Sequence, residues 1–123
     1  MKKIMTLMIA ILLLLIGFSE NTTSAESAYK KIRVSSTAYC ELGKTATGYN
    51  LRKHPSAKVV AVDPRVIPLG SKVYVPGYGT AIARDTGGRI KGHIIDVHFK
   101  SHKQAIQWGR KHNLKVKVYR LHR

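Results

Sequence analysis

Breaks in regular structure recur at short intervals from residue 43 onward, and they limit what this chain can fold into. Gly43, Gly48, Pro55, Asp63-Pro64, Pro68-Leu69-Gly70, Pro76-Gly77 and Thr86-Gly87-Gly88 leave room only for short elements between them. The first segment before them, Ile32 to Tyr39, is β-branched and aromatic and reads as a strand. Further strands are expected at Val59 to Val62, Lys72 to Val75, Tyr78 to Ala83, Ile94 to Phe99 and Leu114 to Tyr119, with a shorter one near Thr45 to Thr47. Pro76-Gly77 joins two of these as a hairpin. Ser101 is a suitable N-cap for one helix over Ser101 to Lys111, with Ala105, Ile106 and Trp108 on its apolar side. Many short strands, frequent turns and one helix predict a mainly β protein. A small barrel fits that pattern best, and a sandwich fits it almost as well.

The first 25 residues do not belong to that pattern. Lys2 and Lys3 precede an apolar run from Ile4 to Ile16, and small residues Thr23 and Ala25 follow. This is the order of a secretory signal peptide cleaved after Ala25. The run is shorter than the ~20 residues of a spanning helix. Residues 26–31 are expected to be a flexible N-terminus and residues 32–123 the folded domain. Export without stable membrane insertion is therefore expected, to the outside of the cell or its wall.

The chain of 123 residues carries a net charge of +16, with 22 Lys and Arg against 6 acids. Removing residues 1–25 takes away Lys2, Lys3 and Glu20, so the charge falls only to +15. Such a balance attracts polyanions. Export argues against nucleic acid and for anionic wall polymers or lipid. Cys40 is the only cysteine, so no internal disulfide supports the fold. It reads as a half-buried strand residue more readily than as a nucleophile.

Within this basic chain the three aspartates are the candidates for chemistry. They stand as Val62-Asp63-Pro64-Arg65, Arg84-Asp85-Thr86-Gly87-Gly88 and Ile95-Asp96-Val97. A carboxylate among apolar neighbours is costly unless it is paired, hydrogen-bonded or protonated. Asp63 before Pro64 suits a turn, and Asp85 before Thr-Gly-Gly can bond the backbone of its turn. Asp96 lies mid-strand, on the less apolar face with Ile94 and His98, and has the weakest structural reason to be there. The Gly-rich connection between Asp85 and Asp96 allows two neighbouring segments to lie side by side. General acid–base work on a glycosidic bond fits such carboxyl groups. No metal site is expected: there is no HExxH and no Cys pair, and His98 and His102 read as solvated. No GxSxG or complete phosphate-binding loop is present.

Thr45-Ala46-Thr47-Gly48, Ala61-Val62-Asp63-Pro64-Arg65-Val66-Ile67-Pro68-Leu69-Gly70, Asp85-Thr86-Gly87-Gly88, Ile95-Asp96-Val97 and Ser101-His102 with Trp108-Gly109 occur in this order. Together they resemble the 3D domain, a family named for its three aspartates. The likeness runs from about Val34 to Tyr119. It is similar overall to short secreted members associated with stationary-phase survival, which act on the wall. The resemblance implies a six-stranded double-psi β-barrel related to the MltA class of lytic transglycosylases. It implies cleavage of the β-1,4 bond between N-acetylmuramic acid and N-acetylglucosamine in peptidoglycan, leaving a 1,6-anhydro ring, with no cofactor. Asp96 would be the general acid/base and Asp85 a second cleft carboxylate. Asp63, Thr45, Gly87 and Gly88 would contact substrate or line its groove, with Asp63 also suited to a structural part. Arg84 and His93-Ile94 depart from the family pattern, which has an acid and Asn-Arg there, and bear on pH optimum and substrate preference. The other reading of the same residues is a non-catalytic module that binds or loosens the wall. A membrane-active cationic protein is a weaker third, because no amphipathic helix with a broad apolar face is present.

Overall fold

The structure, a computed structural model, describes residues 28–119. The expected leader over residues 1–25 lies outside the described residues. Six strands form: β1 (Tyr29–Tyr39), β2 (Val59–Ala61), β3 (Lys72–Val75), β4 (Gly79–Asp85), β5 (Ile94–His98) and β6 (Lys111–Tyr119). One helix, α1 (His102–Trp108), stands between β5 and β6. The strands close into a barrel in the order β1-β5-β2-β4-β3-β6. Closure excludes the sandwich alternative, because every strand has two neighbours. Pairs β1/β5 and β2/β4 are parallel, and the other four are antiparallel. This is the small six-stranded double-psi type of barrel with one short helix.

The interior follows from alternation. Val34, Val60, Val73, Val75, Ala81, Ala83, Ile95, Val97 and Val116 all point inward and are essentially inaccessible to water. Branched side chains suit a narrow barrel because their stiff χ1 packs on a pleated surface. Each buried valine or isoleucine contributes about 1.5–3 kcal/mol relative to exposure. Tyr78, Phe99 and Trp108 close one end of the core with ring centroids 5.3–6.0 Å apart. Their polar atoms are satisfied: Trp108 Nε1 donates to Ser36 Oγ at 3.1 Å, and the Tyr78 hydroxyl donates to the His98 carbonyl. Burial pushes the Tyr78 hydroxyl up to about 12.

Several boundaries differ from expectation for identifiable reasons. β1 already begins at Tyr29, so residues 29–31 are strand rather than flexible N-terminus, because Tyr29 to Lys31 pair with Lys117 to Tyr119 of β6. α1 stops at Trp108, short of Lys111, because Gly109 turns to φ 65° while its N–H bonds the Ala105 carbonyl. β6 starts at Lys111 rather than Leu114. An irregularity between Val34 and Ser36, opposite Asn113 at φ 61°, lets pairing continue past it. The short strand near Thr45 to Thr47 is a turn instead, closed by a single bridge between Lys44 and Asn50.

Candidate active site

Asp96 and Asp85 belong to one row across three neighbouring strands. Asp96 on β5 and Asp85 on β4 both pair with Ala61 of β2, and Thr37 of β1 pairs with Asp96 on the other side. Neighbouring rows of core residues, such as Val60 with Val97 and Ala83, face the interior, so this row faces outward. Ala61 keeps the two aspartate backbones about two strand spacings, ~10 Å, apart.

Asp85 reaches this row through a bulge. Val60 pairs with Ala83, yet the next residue, Ala61, pairs with Asp85. Arg84 is the extra residue. In an unbroken strand Asp85 would share the inward face of Ala81 and Ala83, and Arg84 would oppose Ala61. The bulge instead turns Asp85 outward beside Asp96. The Arg84 carbonyl, freed from the ladder, accepts bonds from Thr47 N at 3.2 Å and Thr47 Oγ1 at 2.9 Å. The Arg84 guanidinium lies over the Tyr49 ring, 4.2 Å from its centroid, and makes no ion pair with Asp85.

The two carboxylates differ in how they are held. Both oxygens of Asp85 are held: Oδ1 accepts from Ala46 N and Thr86 N, both at 2.9 Å, and Oδ2 from the Tyr39 hydroxyl at 3.1 Å. Asp96 has one bond, from Thr37 Oγ1 to its Oδ1 at 2.9 Å. Its Oδ2 accepts nothing from the described residues and keeps contact with solvent. Burial raises the Asp96 carboxyl above the usual carboxylate range. The Thr37 bond opposes this, and the negative charges of Asp85 and Glu41 add to it. Tyr39 is held strongly in its protonated form, first by burial and then by the adjacent Asp85. The row therefore presents a protonatable carboxyl oxygen beside a carboxylate that is anchored and a phenol that stays a donor.

Asp63 stands apart. It is almost inaccessible, and Oδ1 accepts from Arg65 N at 3.0 Å and Arg65 Nε at 3.1 Å. Oδ2 accepts from Arg65 Nη2 and from Gly92 N, both at 2.8 Å. The Arg65 guanidinium, followed by the Gly92 and Arg65 amides, holds this carboxyl well below the usual range. Asp63 thus ties the turn after β2 to the 86–93 connection that links Asp85 to Asp96. Each of its oxygens accepts two bonds from the protein.

Thr45 is buried beneath the turn that offers Ala46 N to Asp85. Its Oγ1 accepts from Tyr49 N at 3.1 Å and donates to Thr47 Oγ1 at 3.2 Å, whose own proton goes to the Arg84 carbonyl. Gly87 is packed so that an added Cβ would meet Ile90 Cγ1 at 2.9 Å, whereas Gly88 faces open space. His98 is the plain correction to the sequence reading. It is buried rather than solvated, with Nδ1 3.4 Å from the Ala57 carbonyl and Nε2 3.2 Å from the Glu41 carbonyl. Its ring lies between the two ends of the 40–58 loop, within reach of one carbonyl from each. His93 turns toward the Arg33 carbonyl at 3.1 Å, and away from both carboxylates. Thr37 and Tyr39 are site residues that the motifs did not single out. The signal was present as the polar alternation Ser35, Thr37, Tyr39 on one face of β1.

A groove of about 310 Å³ abuts the row, lined in part by Thr37, Tyr39, Cys40, His102 and Arg110. Cys40 Sγ lies 3.8 Å from His102 Nδ1 there. No three His, Cys, Asp or Glu side chains among the described residues converge as metal ligands would.

Comparison with known proteins places the chain in a family. Residues 58–122 match the family described as 3D domain. The chain is 56% identical over 101 residues to the "Putative cell wall shaping protein YabE" of Bacillus subtilis (strain 168), covering 77% of this chain and 24% of that protein. It is 53% identical over 104 residues to the "Cell wall-binding protein YocH" of the same organism, covering 80% and 36%. The chain thus spans between about a quarter and a third of the length of these relatives. Among solved structures, the Streptomyces papain inhibitor shares the fold, with a TM-score of 0.55 at 21% identity, over 74% of this chain and 96% of that one. With its barrel, its ordered motifs and relatives above half identity, this chain belongs to the 3D domain family.

Proposed function

We propose that this protein acts on the bacterial cell wall as a peptidoglycan lytic transglycosylase, with Asp96 as the single general acid/base. The observation that carries this reading is the free, solvent-touching Oδ2 of a carboxyl group whose pKa is raised by burial. Protonated Asp96 gives its proton to the bridging glycosidic oxygen as the C1–O bond breaks. The resulting carboxylate then takes the proton of the muramyl C6 hydroxyl as that oxygen bonds to C1. A 1,6-anhydro ring forms, no water is consumed, and Asp96 returns to its protonated form. Asp85 and Tyr39 act as positioning residues. The negative charge of Asp85 keeps the Asp96 proton on at higher pH, and its amide bonds hold the 40–58 loop against the row.

A second reading, wall binding without cleavage, is favoured by one observation and one name. Both Asp85 oxygens already accept bonds from the protein, and a relative at 53% identity is named for binding. Mass spectrometry of the soluble products after incubation of the purified protein with peptidoglycan separates the two. A 1,6-anhydromuramyl product from wild type, absent with Asp96→Asn, is the expected result. Reducing-end sugars would mean hydrolysis and a different second group. Pelleting with the wall but no released fragments would leave the binding module.

A further inference from the structure

The side of the barrel away from the aspartates has a different surface. Along Tyr29 to Arg33 of β1, Lys115 to Tyr119 of β6 and all of β3, the outward positions are held by cations and tyrosines. Lys31 pairs directly with Lys117, and Arg33 with Lys115, across the antiparallel β1/β6 ladder. Lys117 in turn pairs with Tyr74, and Tyr119 with both Tyr29 and Lys72. None of the described acids, Glu41, Asp63, Asp85 and Asp96, lies on these three strands. The sole ion pair among the described residues, Arg65 with Asp63, is elsewhere. Like charges directly opposite each other on a sheet are destabilising. This face therefore keeps two such pairs against folding stability, without a counter-charge.

We propose that the outer face formed by Tyr29 to Arg33 of β1, Lys115 to Tyr119 of β6 and β3 is a binding surface for a linear polyol-phosphate chain, separate from the aspartate row at the other end of β1. Along a strand, Lys31 to Arg33 and Lys115 to Lys117 are spaced by about 6.8 Å, and across the ladder by about 5 Å. Successive phosphates of a glycerol phosphate chain are separated by a short polyol of comparable reach. The exposed apolar residues of the face are Tyr29 and Tyr74, both with the Lys117 amine over the ring, and no exposed Leu, Ile, Phe or Trp stands there to insert into a lipid surface. The tyrosine rings are poor platforms for bases, because amines already cover them. Lys117 Nζ is 5.0 Å from the Tyr29 centroid and 5.8 Å from that of Tyr74, and Lys72 Nζ is 5.3 Å from that of Tyr119. Among the described residues this face is built of strands alone, with no helix on it to enter a duplex groove. The choice of a wall polymer over other polyphosphates rests on the proposed action at the wall.

Binding of purified protein to fluorescently labelled poly(glycerol phosphate) over a salt series tests this. The variant Lys31→Gln/Arg33→Gln/Lys115→Gln/Lys117→Gln should bind about tenfold or more weakly, with its salt slope reduced by about 3, at ~0.7 per lost phosphate contact. Its thermal midpoint should rise, which separates lost binding from lost folding. The variant Arg52→Gln/Lys53→Gln/Lys100→Gln/Lys103→Gln removes equal charge elsewhere and should change binding far less. Equal loss from both variants would reduce the effect to net charge and overturn the proposal. So would tighter wild-type binding, at equal phosphate, to phosphatidylglycerol vesicles or to oligothymidylate. Polymer-free peptidoglycan should be cleaved equally by wild type and the face variant. Polymer binding that persists without any cleavage would remove the transglycosylase reading and leave this one standing.

Discussion

Asp63 and Asp96 are the same residue type set among apolar neighbours, yet the barrel treats them in opposite ways. At the β2 exit, both Asp63 oxygens are saturated by Arg65 and Gly92, and the carboxyl is held ionised. On β5, Asp96 has one bond and one unengaged oxygen, and burial favours its protonated form. Satisfied charge stabilises a turn, whereas unsatisfied charge leaves a proton available for transfer. The two carboxyl groups therefore differ in their count of donors, and the proposed roles can be tested through that difference.

The largest effect should come from Asp96→Asn. It should lower the rate of peptidoglycan cleavage by about 10²–10⁴-fold, measured as anhydromuramyl product released per minute. Its stability should move the other way. Because the folded state raises the Asp96 pKa, wild type loses stability as pH rises through that value. The Asn variant lacks this loss, so its thermal midpoint should exceed that of wild type at pH 7 and match it below about pH 4. A variant less stable than wild type at pH 7 would break the contrast.

Asp63→Ala should give the largest fall in thermal midpoint at pH 7, while the surviving folded protein keeps its turnover. The Asp63 pKa is depressed on folding, so its contribution is present above the ordinary value near 3.9 and fades as pH falls below it. Melting curves of wild type and variant should thus converge in acid. Loss of turnover with unchanged stability would place Asp63 at the substrate after all.

Tyr39→Phe removes the donor to Asp85 Oδ2 and should lower kcat/KM by about tenfold, or ~1.4 kcal/mol. The smallest effect is Thr37→Val. It deletes the bond that favours ionised Asp96, so the alkaline limb of the pH–rate profile should move to higher pH with little change at the optimum. An alkaline limb moving to lower pH would mean that a different group supplies the proton.

Much of this architecture was legible in advance because it depends on local chemistry. Pro76-Gly77 marks its hairpin by backbone preference, and Ser101 caps its helix through the bond to Gln104 N. The alternation of Val and Ile identifies the inward faces. Asp96 stood out since nothing nearby in the chain could compensate it. The part of His98 was not legible: its partners, the Ala57 and Glu41 carbonyls, come from a distant loop. Nor was Asp63 assigned to one role, because Gly92 reaches it only after the chain has turned twice.

The order of turns and strands, the outward position of Asp96 and the excess of positive charge were thus set by the sequence alone, through backbone preference, side-chain alternation and composition. The position of Asp85 beside Asp96 was decided by tertiary structure. Strand parity would turn Asp85 toward the core, and only the bulge at Arg84, with its carbonyl bonded by Thr47, brings it outward. The concentration of cations on one face was decided in the same way. Lys31, Arg33, Lys115 and Lys117 are far apart along the chain and meet only because β1 and β6 pair to close the barrel.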